Sequence, residues 1–213
     1  PDAVLIRRLD RVLERSPRLA DAWAWRGLFK RRALDYEGAA RDLGRAWSLG
    51  LKSSLILTCR GEARLQTGDS GGMKDLEDAL RLPAAAWNHA WCGRAKMAHE
   101  RGPGALSYFD RAIALDPENG WYYAWRAEAK RILRLPRGML RDFDRALELG
   151  LIEPNDGYVR AWRGVACLQA GRARAALADF DGALRRIPDY PLALHGKASA
   201  YRALGRWGEW LRD

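Results

Sequence analysis

Cysteine, histidine and paired acids carry much of protein chemistry, and in this chain none is spaced to do so. Cys59, Cys92 and Cys167 stand far apart with no C-x-x-C pair, and His89, His99 and His195 are equally scattered. Neither a disulfide framework nor a zinc site is predicted, and a reducing, cytoplasmic compartment fits this usage. The sequence contains no H-E-x-x-H, no G-x-x-x-x-G-K-[ST] and no G-x-S-x-G, so no catalytic site and no cofactor are expected. Gly68-Asp69-Ser70-Gly71-Gly72 is glycine-rich, but without a following lysine it reads as a turn and not as a phosphate cradle. Two other residue types stand out. There are 10 tryptophans, roughly three to four times ordinary usage. Arginine supplies 31 of the 37 basic residues, and the formal net charge is +10. Aromatic faces and guanidinium groups bind ligands; they do not make nucleophiles.

Both residue types recur with a period. An aromatic-Arg-Gly motif appears as Trp25-Arg26-Gly27, Cys59-Arg60-Gly61, Trp91-Cys92-Gly93, Trp125-Arg126-Ala127 and Trp162-Arg163-Gly164, with a weaker copy at Gly196-Lys197-Ala198. The small third residues are separated by 34, 32, 34, 37 and 34 positions. A second motif follows each of the first five, at Asp42-Leu43, Asp75-Leu76, Tyr108-Phe109, Asp142-Phe143 and Asp179-Phe180, each with an alanine three residues further on. Pro17, Pro83, Pro117, Pro154 and Pro188 each lie ten residues before a small anchor. The spacing of 37 reflects an insertion, Leu151-Ile152-Glu153.

Each period reads as two helices. Apolar and small residues return every three or four positions, and Ala, Leu, Arg and Glu favour helix. Proline cannot continue a helix and marks the turn into the next pair. With 48% hydrophobic and 30% charged residues the composition is globular, which excludes a largely disordered chain. No apolar run approaches the roughly 18 residues of a membrane span.

A helix pair of about 34 residues carrying W, G, A, F, A and P features resembles the tetratricopeptide (TPR) family. The resemblance implies an all-α, right-handed superhelical solenoid of antiparallel helix pairs whose first helices line a concave groove. Residues 1–19 read as the second helix of a preceding repeat, 20–53, 54–85, 86–119, 120–156 and 157–190 as five repeats, and 191–213 as a partial sixth. Both ends stop within a repeat, so a longer array is expected. The pattern departs from the family's, since tryptophan stands at position six, not four, and arginine at seven in place of leucine. Lysine or arginine also takes position eleven, where the family has tyrosine.

Positions one to fourteen of the repeats carry fifteen basic residues against Asp21, Glu62 and Glu128, so the whole positive excess falls on first helices. Part of it has a structural reading. Arg26/Asp42, Arg60/Asp75, Arg126/Asp142 and Arg163/Asp179 recur at a nearly fixed distance, Lys197/Asp213 repeats it, and both members change together to Cys92 and Tyr108. An ion pair holding the two helices of a repeat in register is predicted. Lys30, Arg64, Lys96 and Lys130, four residues further on, read as cations snorkelling to water. Arg31, Arg131 and Arg202 at position twelve, with Arg94 at nine, are the candidate groove cations.

Trp25, Trp91, Trp125 and Trp162 occupy position six, while Trp87, Trp121 and Tyr158 occupy position two, four residues earlier on the same helical face. The ladder they form serves either as core filling between helices or as an exposed floor for a ligand. Trp207 and Trp210 read as a cap on the core or a continuation of it.

The combination predicts a non-catalytic interaction scaffold that takes a protein or peptide segment in the groove, with acidic segments favoured by the arginines. The chaperone-tail type of TPR uses Lys at position five with Asn at six and nine, which this chain lacks. A second reading is single-stranded nucleic acid, its bases on tryptophan and its phosphates on arginine. A third is a targeting or regulatory domain cut from a larger enzyme.

Overall fold

Leucine and isoleucine at positions 5, 6, 9 and 13 place one apolar stripe on the first segment, and that stripe is a helix that packs on the next. The same logic repeats along the chain. In the computed structural model, which describes residues 2–83, 85–100, 102–151, 155–206 and 208, the described residues form twelve helices and no strand. They are α1 (Asp2–Arg15), α2 (Ala20–Arg32), α3 (Tyr36–Ser48), α4 (Ser54–Gln66), α5 (Gly71–Ala79) and α6 (Ala86–Glu100), then α7 (Gly104–Leu115), α8 (Gly120–Ile132), α9 (Met139–Glu148), α10 (Asn155–Gln169), α11 (Ala173–Arg186) and α12 (Pro191–Ala203). Pro154, Ile152, Glu153, Trp207, Trp210 and Asp213 lie outside the described residues, as does the side chain of His99.

The chain divides into two compact units, Pro1–Glu100 and Arg101–Asp213. Within each, successive helices pack as antiparallel neighbours joined by short turns. Helix starts are capped locally: Asp35 accepts from the Gly38 amide, Ser53 from Leu55 and Asn119 from Trp121. The turns between paired helices share one closure. The amides of Asp35, Asp69, Leu135, Arg172 and Arg206 reach back to the carbonyls of Lys30, Arg64, Lys130, Cys167 and Tyr201. This requires a left-handed residue just before each of them. Gly68, Gly171 and Gly205 fill that place without strain, whereas Leu34 (φ 63°) and Arg134 (φ 55°) hold it at a steric cost. The glycine-rich stretch is therefore a turn, and Asp69 already occupies the Gly71 amide that a phosphate would need.

The core is the second motif meeting the small anchor. Leu43, Leu76, Phe109, Phe143 and Phe180 are all buried, and so are Ala46, Ala79, Ala112, Ala146 and Ala183 one turn later. Burial of each large side chain contributes about 2 kcal/mol. Phe180 shows why the anchors are small. A methyl group on the anchor Gly164 would stand 2.7 Å from its ring, and one on Gly196, two residues before the anchor Ala198, would overlap it.

The repeated arginine does more than pair within its own repeat. Nε and Nη2 of Arg26 donate to Asp42, and its Nη1 donates to Asp10 at 2.7 Å. Arg126 grips Asp142 in the same way and turns Nη1 to Asp110, while Arg163 grips Asp179 and reaches Asp144, each at 2.8 Å. One guanidinium on a first helix thus ties its own second helix to the second helix before it. Lysine could not do this, because only the planar fork holds two carboxylates in fixed directions. Arg60 grips Asp75 alone, since Gly44 stands where the preceding acid would be. Lys197 bonds Asp181, the acid of the preceding helix.

Three of the cations four residues on, Lys30, Arg64 and Lys130, do not snorkel. Lys30 and Lys130 sit 2.9 and 2.7 Å from the same aspartates, Asp42 and Asp142, and Arg64 sits 3.0 Å from Asp75. Those aspartates are almost fully buried and carry two lone-pair-rich oxygens, so a second cation is the cheaper neighbour than water. In the third repeat, Cys92 and Tyr108 replace the pair, and the Cys92 thiol donates to the Leu76 carbonyl.

An Arg163→Met variant would leave Asp179 buried without its fork. We expect it to lose about 3 kcal/mol in urea unfolding, and Arg163→Met/Asp179→Leu to recover most of that loss. If the double variant were as unstable as the single one, the ion pair would not be the source of the effect.

Candidate functional site

The tryptophans separate into inner and outer rings. In the first unit, Trp87 packs against the cluster of Ala24, Leu43, Ala46, Ile56 and Cys59, together with Trp23 and Trp47. Trp25 stays 56% exposed and stacks on Phe29 with centroids 6.2 Å apart. Trp91 is half-buried, with the Arg94 guanidinium 4.3 Å above its ring. These two residues line a cavity of about 90 Å³ with Glu62, Leu65, Gln66 and Leu76. That is the size of one anchoring side chain and far below the roughly 300 Å³ at which small-molecule sites begin.

In the second unit, Trp121 and Trp162 pack on the cluster of Ala124, Ala127, Phe143, Ala146 and Val159, meeting edge to face at 6.4 Å. Trp125 lies outside that cluster, stacked on Trp121 at 5.5 Å and tilted against Tyr122. Tyr158 meets Tyr190 edge-on at 5.2 Å. Burial raises the Tyr190 hydroxyl pKa, partly offset by a hydrogen bond from Trp162. Position two therefore supplies core rings at Trp87 and Trp121. Position six supplies outer rings at Trp25, Trp91 and Trp125, with Trp162 drawn inward. The i,i+4 spacing that joined the two sets in sequence makes Trp121 and Trp125 stack face to face.

Much of the charge on the first helices of each unit is already partnered. Arg31 pairs with Glu62 across to the next first helix, and Arg131 forms a fork with Glu128 one turn back on its own helix. Arg94 is held below its ordinary pKa by burial. Arg202 is exposed. Every lysine and arginine on α2, α4, α8 and α10 lies within 3.3 Å of a carboxylate. On these four helices the formal positive charge is thus neutralised, largely by acids on second helices that a helix-by-helix count placed elsewhere.

Periodicity within single repeats does not single out Asp10, Asp110 and Asp144, although each precedes its arginine by a nearly constant interval. Nor does it find Phe29 and Tyr190, or the cavity of about 390 Å³ that Arg134, Leu135, Pro136, Met139 and Gln169 form with Arg131. Pocket walls come from turn conformation, which periodicity does not carry.

The thiols are not nucleophiles. Burial pushes Cys59 up to about 11 and Cys92 up to about 12, and it raises Cys167 as well. Among the described residues no cluster of His, Cys, Asp and Glu could hold a metal ion. Among them, too, no helix is long and apolar enough to cross a membrane.

No family model matches the chain, and no curated protein matches it either. Solved structures do. A chain of the APC/C hetero-tetramer Cut9–Hcn1 superposes with a TM-score of 0.82 at 15% identity over 94% of this chain, which spans 39% of that one. TTC0263, a thermophilic TPR protein from Thermus thermophilus, gives 0.67 at 20% identity over 87% of this chain and 98% of its own. YrrB, described as a TPR protein with an unusual peptide-binding site, gives 0.62 at 19% identity over 89% and 97%. At such identities the likeness is one of fold, and the fold is the TPR solenoid.

The two kinds of ring should respond differently to truncation. Trp121→Ala is expected to cost about 3 kcal/mol in denaturant unfolding, and Trp125→Ala about 1 kcal/mol. Equal losses would place Trp125 in the core.

Proposed function

We propose that the chain is a non-catalytic scaffold that holds a partner polypeptide on the aromatic faces of its first helices. The outer rings carry the reading: Trp25, Trp91 and Trp125 are large apolar surfaces set beside the cores, and each stacks on a neighbouring side chain that fixes its orientation. Rigid, half-exposed tryptophans of this kind anchor protein interfaces. The TPR fold supports it, since its structural neighbours include a protein described as peptide-binding.

The paired ions refine the ligand. With Arg31 on Glu62 in the first unit and Arg131 on Glu128 in the second, the first helices of each unit offer apolar area bordered by neutralised charge. A segment with aromatic or aliphatic anchors fits it better than an acidic one, and phosphates would have to break existing pairs. Arg94, Arg202 and Tyr158 are rim contacts in this reading, with Trp87, Trp121 and Trp162 supporting from beneath. Three free cysteines fit a reducing compartment, and we place the protein in the cytoplasm.

The test is a nuclease-treated capture of partners from source lysate, followed by titration of the captured protein's binding segment. Trp91→Ala/Trp125→Ala should bind that segment at least tenfold more weakly while keeping wild-type helicity by circular dichroism. Unchanged affinity in the folded double variant would remove the outer rings from the site.

A further inference from the structure

With the ion pairs set aside, the unpartnered positive charge of the first unit lies on its second helices. Arg7, Arg8, Arg11 and Arg15 on α1, and Arg18 in the turn after it, are all exposed, and none has a carboxylate partner among the described residues. The reason is local. Two of the three acids of α1 are engaged by α2, Asp2 by Arg32 and Asp10 by Arg26, which leaves only Glu14. On α3, Arg41 and Arg45 are likewise exposed and unpartnered, with Glu37 the one acid left over, because Asp35 caps the helix and Asp42 holds Arg26 and Lys30.

These arginines are in register. Arg7 and Arg41 each precede the next repeated arginine (Arg26 or Arg60) by nineteen residues, and Arg11 and Arg45 precede it by fifteen. Each pair is spaced i,i+4, about 6 Å along its helix. Arg26, by holding Asp10 and Asp42 at once, ties α1 and α3 to one side chain of α2. Four exposed guanidinium groups therefore stand on the two helices that Arg26 links, with Arg8, Arg15 and Arg18 adding to those of α1.

The chemistry of this surface selects its occupant. A protein partner needs apolar anchors at the centre of its interface, and α3 exposes no large hydrophobic residue, while α1 exposes only Val4 and Val12. A lipid surface needs an amphipathic helix with its apolar face outward, but Leu13 is buried, and Leu5, Ile6 and Leu9 are partly buried. A phosphodiester backbone needs only spaced cations, and arginine meets phosphate through two parallel hydrogen bonds. We propose that the α1–α3 arginines form a sequence-independent nucleic-acid site that contacts the phosphate backbone, separate from the aromatic face and independent of the function proposed for it.

Fluorescence anisotropy with the full chain tests this, using a labelled 20-nucleotide oligothymidylate and a 20-base-pair duplex between 50 and 200 mM KCl. Wild type should bind with log K falling linearly against log salt. R7Q/R11Q/R41Q/R45Q removes four exposed, unpartnered cations, so it should stay folded and lose about three units of that slope, with at least tenfold weaker binding at 100 mM salt. The half-variants R7Q/R41Q and R11Q/R45Q should each show about half the slope change, and W91A/W125A should bind as wild type. Wild-type affinity in the quadruple variant would overturn the proposal, as would no oligonucleotide binding at 50 mM salt. Binding confined to phosphatidylserine vesicles or polyglutamate would overturn it in favour of a lipid or an acidic protein.

Discussion

A guanidinium that holds two carboxylates from two different helices organises this molecule. Arg26, Arg126 and Arg163 each place a fork on the aspartate of their own repeat and turn the remaining nitrogen to the aspartate of the repeat before. The near aspartates are almost fully buried, and a charge in that position is tolerable only when it is fully hydrogen-bonded. The hydrogen bond to Asp42 in turn raises the pKa of Arg26, against the opposing effect of burial. Three helices are thereby fixed in direction and register by one side chain, which apolar packing of Leu, Phe and Ala alone would specify less sharply. The arrangement is dispensable when replaced as a whole. In the third repeat Cys92 and Tyr108 stand in for both ions, and that repeat also holds the boundary between the two compact units.

The same pairing decides what the first helices can offer a ligand. A formal excess of cations becomes a nearly neutral face once the acids of neighbouring helices are counted, and what remains prominent on it is aromatic. The inner rings complete the cores, the outer rings rest on them, and the small socket beside Trp91 has room for a single side chain. Charge that the pairs do not absorb is left on α1 and α3, where second helices lack acids to match their arginines. In the proposed reading, the aromatic rings of the first helices and the arginines of α1 and α3 therefore serve different ligands.

Much of the fold is legible in the sequence because it repeats. Small anchors, buried Leu or Phe, and the arginine–aspartate interval all keep one period, and each has a steric or electrostatic reason to do so. The second carboxylate is hidden because it belongs to the preceding repeat, so a search within single repeats passes over Asp10, Asp110 and Asp144. Lys30, Arg64 and Lys130 depart from the expected snorkelling for a related reason. Sequence shows which stripe of the helix they share but not that a buried aspartate stands opposite. The tryptophans mark the limit of periodicity most clearly. Positions two and six fall on one helical stripe, and only the placement of the neighbouring helix decides that Trp121 is inner and Trp125 outer. Trp162 breaks the rule of its column, since it packs on the core cluster and meets Trp121 edge to face.

Both surfaces depend on the first-helix arginines being held by internal carboxylates, and arginine side-chain NMR reads this directly. Hydrogen exchange of the Nε–H groups should be at least tenfold slower for Arg26, Arg126 and Arg163, whose Nε–H groups point at buried aspartates, than for the exposed Arg41 and Arg45. Equal exchange at all five would mean that the repeated guanidinium groups are free in solution, and both the neutral aromatic face and the separate basic surface would lose their basis.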